Sequence, residues 1–297
     1  MSASVLFDAP GPRARRTQRI VAAVLLLAAL ALGAWVLTTF AAKGQLDPAK
    51  WRPLLWTDVW SEYLLPGILG TLEAAALSIL TAGVIGLLLG VGRLSHVAPV
   101  RWLASTVVEL FRAVPVLVMM LFAYALYLKM GWFGGQESLA GVVTGLTVYN
   151  GAVIAELLRS GVENLPTGQR EAGLSIGLTQ GQTLRSVLLP QALTAMLPSL
   201  VSQLVVVLKD TALGYVILYE ELLRKADQIG SWQGNVVPAI IFVALIYIAM
   251  NFSLTSLAHL VERRLRRSGH TAGLAPQATP EEIEAHSTDA LEGSVAR

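Results

Sequence analysis

Long apolar runs alternate with short polar segments along this chain. Residues 20–42 carry no charged side chain, and residues 64–92, 113–128, 139–158, 192–208 and 236–260 carry none except Glu73 and Glu156. A helix needs roughly 20 apolar residues to cross a hydrocarbon layer about 30 Å thick. The pattern therefore predicts an all-α membrane protein with about six transmembrane helices. The 20–42 run follows a basic stretch, so a signal peptide is its first rival. It exceeds the about 7–15 residues of a signal's apolar region and ends in no clear small-residue cleavage site, so it reads as a retained span. Residues 43–60 form a connector whose Trp51, Trp56 and Trp60 suit a membrane interface, where an amphipathic ring is favoured. The second span holds Gly67, Gly70, Gly83, Gly86, Gly90 and Gly92, small residues that let helices approach closely. Residues 93–101 read as a short loop before the third span, and Pro198 as a kink in the fifth.

Composition agrees with the pattern. Of 297 residues 54% are hydrophobic and 14% charged, against about 25% charged in soluble domains, and the mean hydropathy is +0.60. The net charge of +2 says little, but its distribution matters. Arg13, Arg15, Arg16 and Arg19 precede the first span, Arg93 and Arg101 flank the second loop, Arg170 and Arg185 lie between the fourth and fifth spans, and Arg263, Arg264, Arg266 and Arg267 follow the sixth. Arginine-rich inner flanks orient spans, and six crossings put all four groups on one side. The expected topology has both termini in the cytoplasm of a cell membrane protein, with the lipid bilayer as surroundings and no nucleic-acid partner. There is no cysteine, so thiol chemistry is excluded. Residues 268–297 are polar and read as a disordered tail.

Polar residues in or beside spans are functional hypotheses by default. Glu156, Arg159 and Ser160 share a helical face near the inner end of the fourth span. A Glu156–Arg159 pair that anchors the helix end is the first reading, and a path-lining role the second. Gln203, Val206, Val207 and Asp210 share a face of the fifth span, and Lys209, Asp210 and Thr211 close its outer end. Gln203, Lys209, Asp210, Thr211 and Glu156 are the candidates for a path or gate.

One stretch between the fourth and fifth spans is richer than a connection needs to be. Residues 171–190, EAGLSIGLTQGQTLRSVLLP, read as a helix, a glycine turn at Gly177, a second short helix and a proline stop. Leu174, Ile176 and Leu178 beside the turn, then Leu184, Val187 and Leu188 at helical spacing, give it an apolar face. A partner's groove is the natural place to bury such a face. The glycines of GLTQGQT come without a lysine, so they form a turn and not a phosphate cradle.

This stretch resembles the EAA loop of ABC importer permeases, E-A-A-x3-G-x9-I-x-L-P. Glu171, Ala172, Gly177, Leu189 and Pro190 match in register, Gly173 replaces the second Ala, and Val187 replaces the Ile. Further strings are similar to the polar amino acid branch of histidine-, glutamate- and glutamine-type permeases. Residues 166–191 resemble its P-x-G-Q-x-E-A run and L-P-Q ending, residues 155–161 its A-E-I-V-R-G-G, and Gln203 with residues 208–211 its Q-x4-L-K-D-T. The string at 112–115 matches the branch's R-G-T-P in part, and Tyr149-Asn150 reverses its Asn-Tyr. The actinobacterial glutamate-uptake permeases look most similar.

The resemblance implies a cytoplasmic basic N-terminus over 1–19, an extra span with outer connector over 20–63, a permease core over 64–260 with its coupling loop at 161–190, and a basic flank and tail over 261–297. It implies that Glu171, Ala172, Gly173, Gly177, Val187, Leu189 and Pro190 couple the spans to a separate ABC ATPase dimer. That dimer would bind ATP-Mg, while this chain would hold no cofactor and catalyse nothing. A second permease, in a heterodimer, and an extracytoplasmic solute-binding protein complete the implied importer. Its substrate would be a polar amino acid, glutamate first, whose ammonium and carboxylates the path candidates could meet. An ion-gradient-driven secondary transporter is the alternative, but a discontinuous pair of spans in two repeated halves is not evident. An intramembrane enzyme would need a G-x-S-x-G with a histidine, or H-E-x-x-H, within spans, and His259 stands alone at the end of the last span.

Overall fold

The structure is a computed structural model, and it describes residues 11–269. Among the described residues there are helices and turns and no strand. The described residues divide into two compact units, residues 11–70 with 220–246, and residues 71–219 with 247–269. The expected tail, from residue 270 onward, and residues 1–10 lie outside the described residues.

In the first unit, α1 spans Pro12–Ala42 and is exposed along nearly its whole length. The connector is more ordered than a loop: a helical turn at Pro48–Trp51 leads into a 3-10 turn at Arg52–Leu55. Trp51 Nε1 donates to Gln45 O at 2.9 Å, and Asn235 Nδ2 donates to Lys50 O at 2.7 Å. The helix α2, Thr57–Arg93, begins here with one turn widened to π geometry at Trp60–Leu64. Trp60 packs edge-on to Phe242, and Tyr63 stacks on Trp232.

Most of the second unit is built around one helix. It holds the rest of α2, then α3 at Ala98–Ala113, α4 at Val116–Met130, α5 at Glu137–Glu163, α6 at Thr167–Ser175 and α7 at Gln180–Ile217. The helix α8, Leu222–Gln233, belongs to the first unit, and α9, Val236–Gly269, passes from the first into the second. Glycines on α5 admit its neighbours: a Cβ at Gly145 would stand 2.5 Å from Met120 Cγ, and one at Gly141 would stand 3.0 Å from Tyr124 Cβ. Met120, Val142, Leu146, Val207, Ile217 and Ala74 close one core cluster, and Val108, Ala152 and Ala155 a second.

Two expectations are corrected. The expected third span at 113–128 is α4, but it is preceded across a 98° bend by α3, where no helix is expected. Pro115 disfavours helical geometry in the residue before it, and Val114 is extended at φ −90°, ψ 130°. The expected loop at 93–101 is shorter, because α3 already starts at Ala98. Among the described residues five helices are therefore long and apolar enough to cross a membrane, or six if the bent pair counts as one. The second correction is Pro190, which does not stop a helix. One turn at Leu184–Leu188 has π geometry, which shifts the hydrogen-bond register directly ahead of the proline, and α7 runs on through it.

Candidate functional site

The 171–190 segment forms a helical hairpin. In α6, Glu171 and Ala172 are exposed and Gly173 is buried. Ile176 caps the helix and Gly177 turns the chain at φ +85°, a conformation in which only glycine is unstrained. A Cβ at Gly177 would meet nothing within 4 Å, so the position requires backbone freedom and not small size. Gly173 is the opposite case: a Cβ there would stand 2.7 Å from Thr183 Cγ2. Thr179 opens α7 through a capping box, accepting from Gln182 N while Gln182 Oε1 accepts from Thr179 N. Gln191 Nε2 donates to Gln169 Oε1 at 3.0 Å and ties α6 to α7.

The apolar face anticipated for this hairpin divides in two. Leu184 and Leu188 are buried, while Val187 and Leu189 are half-buried and Pro190 is exposed. Leu174 and Ile176 point outward, with Ile176 78% exposed. Residues 173–177 also spell G-x-S-x-G, but Ser175 Oγ donates to Glu171 O inside a helix and lies on no strand-to-helix elbow.

The polar candidates do not converge on one site. Glu156 lies toward the end of α5 among arginines. Arg159 Nη2 stands 2.6 Å from Glu156 Oε1, while Arg93 Nη1 and Arg112 Nη1 stand 2.5 and 3.3 Å from Oε2. Arg159 also pairs with Glu163, and Arg93 lies 3.6 Å from Glu109. The Glu156–Arg159 pair anticipated from spacing is thus part of a larger cluster. Arg93 and Arg112 escaped the sequence reading because they stand 63 and 44 positions from Glu156.

Gln203 lies elsewhere, on α7, where its Nε2 donates to Asn150 Oδ1 at 2.5 Å. Asn150 is fully buried on α5 and donates to Leu146 O at 2.8 Å. Thr81 and Thr147 share a hydrogen bond that links α2 to α5. Asn150 is the residue whose order with Tyr149 reverses the Asn-Tyr of the similar permeases. Asp210 lies seven residues, about 10 Å along a helix, from Gln203. Asp210 is half-buried and Lys209 exposed, whereas Thr211 is fully buried and donates to Leu208 O at 2.7 Å. A cavity of about 450 Å³ beside Gln203 is lined by Ile79, Leu87, Leu197, Leu204 and Val207. Its apolar walls suit hydrocarbon better than a charged solute. Among the described residues no group of three or more His, Asp or Glu side chains could hold a metal ion.

Comparison with known proteins covers most of the chain. Residues 82–267 match the family described as binding-protein-dependent transport system inner membrane component. The glutamate transport system permease protein GluD of Corynebacterium glutamicum is 49% identical over 224 residues, 75% of this chain and 82% of that protein. The probable glutamine ABC transporter permease protein GlnP of Bacillus subtilis is 35% identical over 68% of this chain and 93% of its own length. Among solved structures, an amino acid ABC transporter crystallised with histidines matches with a TM-score of 0.63 and 30% identity, over 69% of this chain and 95% of that one. An inward-facing MetNI methionine ABC transporter matches in fold, with a TM-score of 0.58 at 23% identity over 70% of this chain and 99% of that one.

Proposed function

The chain belongs to the family of binding-protein-dependent transport system inner membrane components, and from that premise we propose that it carries glutamate across the membrane under the control of a separate ATPase that engages residues 171–190. The chain is the membrane permease subunit of an amino acid importer, and the chemistry of ATP belongs to its partner. In our reading the α6 hairpin faces the cytoplasm, a second permease completes the path, and a solute-binding protein delivers substrate from outside. Glutamate is preferred because the GluD relative shares 49% of its aligned residues with this chain.

The observation that carries the reading is Ile176. With Leu174 it forms an exposed apolar pair at the tip of a capped hairpin, 40% and 78% exposed, which a partner could cover. The hairpin beneath it is held in one arrangement by the Gly177 turn, the Thr179 capping box and the Gln169–Gln191 bond. A pre-formed apolar tip of this kind suits docking into another protein's groove.

Reconstitution with the ATPase and the binding protein tests it. Uptake of labelled glutamate should require ATP, with aspartate and glutamine competing better than arginine. Ile176→Glu should lower co-purification of the ATPase by at least about tenfold, because a buried unpaired carboxylate costs more than the lost apolar contact. Normal ATPase capture by that variant would refute the docking site. Competition led by arginine would refute the substrate.

A further inference from the structure

Three carboxylates and three guanidinium groups near the C-terminal ends of α2, α3 and α5 pair with one another, close to where α5 leads on to the hairpin. Their formal charges cancel: Arg93, Arg112 and Arg159 against Glu109, Glu156 and Glu163. Glu156 is the shared member, since each arginine has a nitrogen within 3.3 Å of one of its oxygens. Arg93 is nearly enclosed, with 7% of its side chain exposed. Holding a guanidinium there without a counter-charge would be expensive.

The connectivity gives the cluster a mechanical meaning. The helix α5 ends at Glu163, and only residues 164–166 separate it from α6. The last turns of α5 are fastened to one another through Arg159, which holds Glu156 and Glu163 together. Through Arg93 the same carboxylate reaches the end of α2, and through Arg112 the end of α3 at its bend into α4. Apolar packing of Val108 on Ala152 and Ala155 also joins α3 to α5. Ion pairs in a partly dry site hold discrete geometries, the property a transmitted displacement needs.

We propose that Glu156 is a positioning residue through which movement of the α6 hairpin is passed to α2 and to the bent α3–α4 pair. Its carboxylate fixes three helix ends as one body, so that a push on α6 reorients all three instead of bending residues 164–166. This rests on the reading of residues 171–190 as the ATPase contact, and the two can fail separately.

The test uses the complete importer in proteoliposomes and reads glutamate taken up per ATP hydrolysed. Glu156→Gln should still capture the ATPase, since the hairpin is untouched, and should lower the uptake-to-hydrolysis ratio by at least about tenfold. Glu156→Asp, which keeps the charge, should recover most of the ratio. A residue that only stabilised the fold would lower yield and leave the ratio of surviving complexes unchanged. A wild-type ratio in Glu156→Gln therefore overturns the proposal. Should that variant fail to assemble, Arg112→Gln reads the same quantity while Arg93 and Arg159 still hold the carboxylate. An unchanged ratio there overturns the proposal equally. If the unaltered chain captures no ATPase, the docking reading fails first.

Discussion

The helices α1 and α5 are both long enough to cross a bilayer, and they are built on opposite principles. The more apolar of the two is α1, yet none of its most apolar stretch is buried, whereas half of the corresponding stretch of α5 is. Gly33 on α1 has open space around it, while Gly141, Gly145 and Gly151 on α5 meet Tyr124, Met120 and Ile85. Lipid tails are as apolar as leucine, so apolarity does not drive helices together inside a membrane. Close backbone approach and paired polar groups do. Bulk apolar character therefore marks the helix that faces outward, and small or polar residues mark the one that other helices surround.

The strongest way to break this comparison is to add the same side chain to both helices. Leucine at Gly145 would drive a Cβ to 2.5 Å from Met120 Cγ and 2.9 Å from Met120 N, and backbone cannot yield as a flexible side chain can. Gly145→Leu should cost about 3 kcal/mol, or prevent accumulation of folded protein. Gly33→Leu should stay within about 0.5 kcal/mol of the parent. Thermal unfolding in detergent, followed by the fraction surviving size exclusion, reads both. Equal effects would show that α1 is as tightly enclosed as α5.

The same contrast explains what was legible in the sequence. Apolar runs located α1, α2, α5, α7 and α9, because a span announces itself by composition alone. The run at 113–128 marks α4, whereas α3 shows no apolar run of its own because it is amphipathic. Residues 171–190 showed their turn, because Gly177 is a local requirement written in one residue. Pro190 misled for the same reason: a proline reads as a stop unless the π turn before it is known. The Glu156–Arg159 pair was visible at spacing three, but Arg93 and Arg112 join it only through the fold. Asn150 likewise gained a partner that no local pattern could name.

Close approach should matter within the hairpin as it does around α5, and Gly173 offers the case. It stands where the family pattern has alanine, and Thr183 fills the space an alanine methyl would need. Gly173→Ala should destabilise the hairpin by about 1 kcal/mol. Adding Thr183→Ala should restore most of that, because the methyl then has room. Hydrogen exchange at the backbone of residues 171–190 measures the opening directly. No rescue by the second substitution would mean that the strain comes from elsewhere than this contact.

Polar pairing inside the bilayer is the weaker half of the contrast. Asn150→Ala removes the acceptor of the Gln203 amide and should cost about 1 kcal/mol, within the range of in-membrane hydrogen bonds. On α1, Thr38 Oγ1 donates only to Ala34 and Trp35 carbonyls of its own helix, so Thr38→Val should change stability by no more than about 0.3 kcal/mol. A Thr38→Val loss as large as that of Asn150→Ala would mean that local helix bonding, not pairing between helices, sets the cost.

The smallest effect should come from the pair outside the spans. Glu220 is half-exposed and bonds to Lys225 and Gln228 just ahead of α8. Partial burial raises its affinity for a proton, but the bonds from Lys225 and Gln228 outweigh it and hold the carboxyl below its ordinary value. A carboxyl lowered on folding adds stability above its unfolded value of about 4.3, and loses that contribution as pH falls through the folded one. Solvent screening keeps the contribution to roughly a few tenths of a kcal/mol. Glu220→Gln should therefore unfold slightly earlier than the parent at pH 7 and low salt. The gap should shrink in molar salt and close as the pH drops below 4. A gap that survives both high salt and acid would assign the residue a packing role and remove the charge from the account.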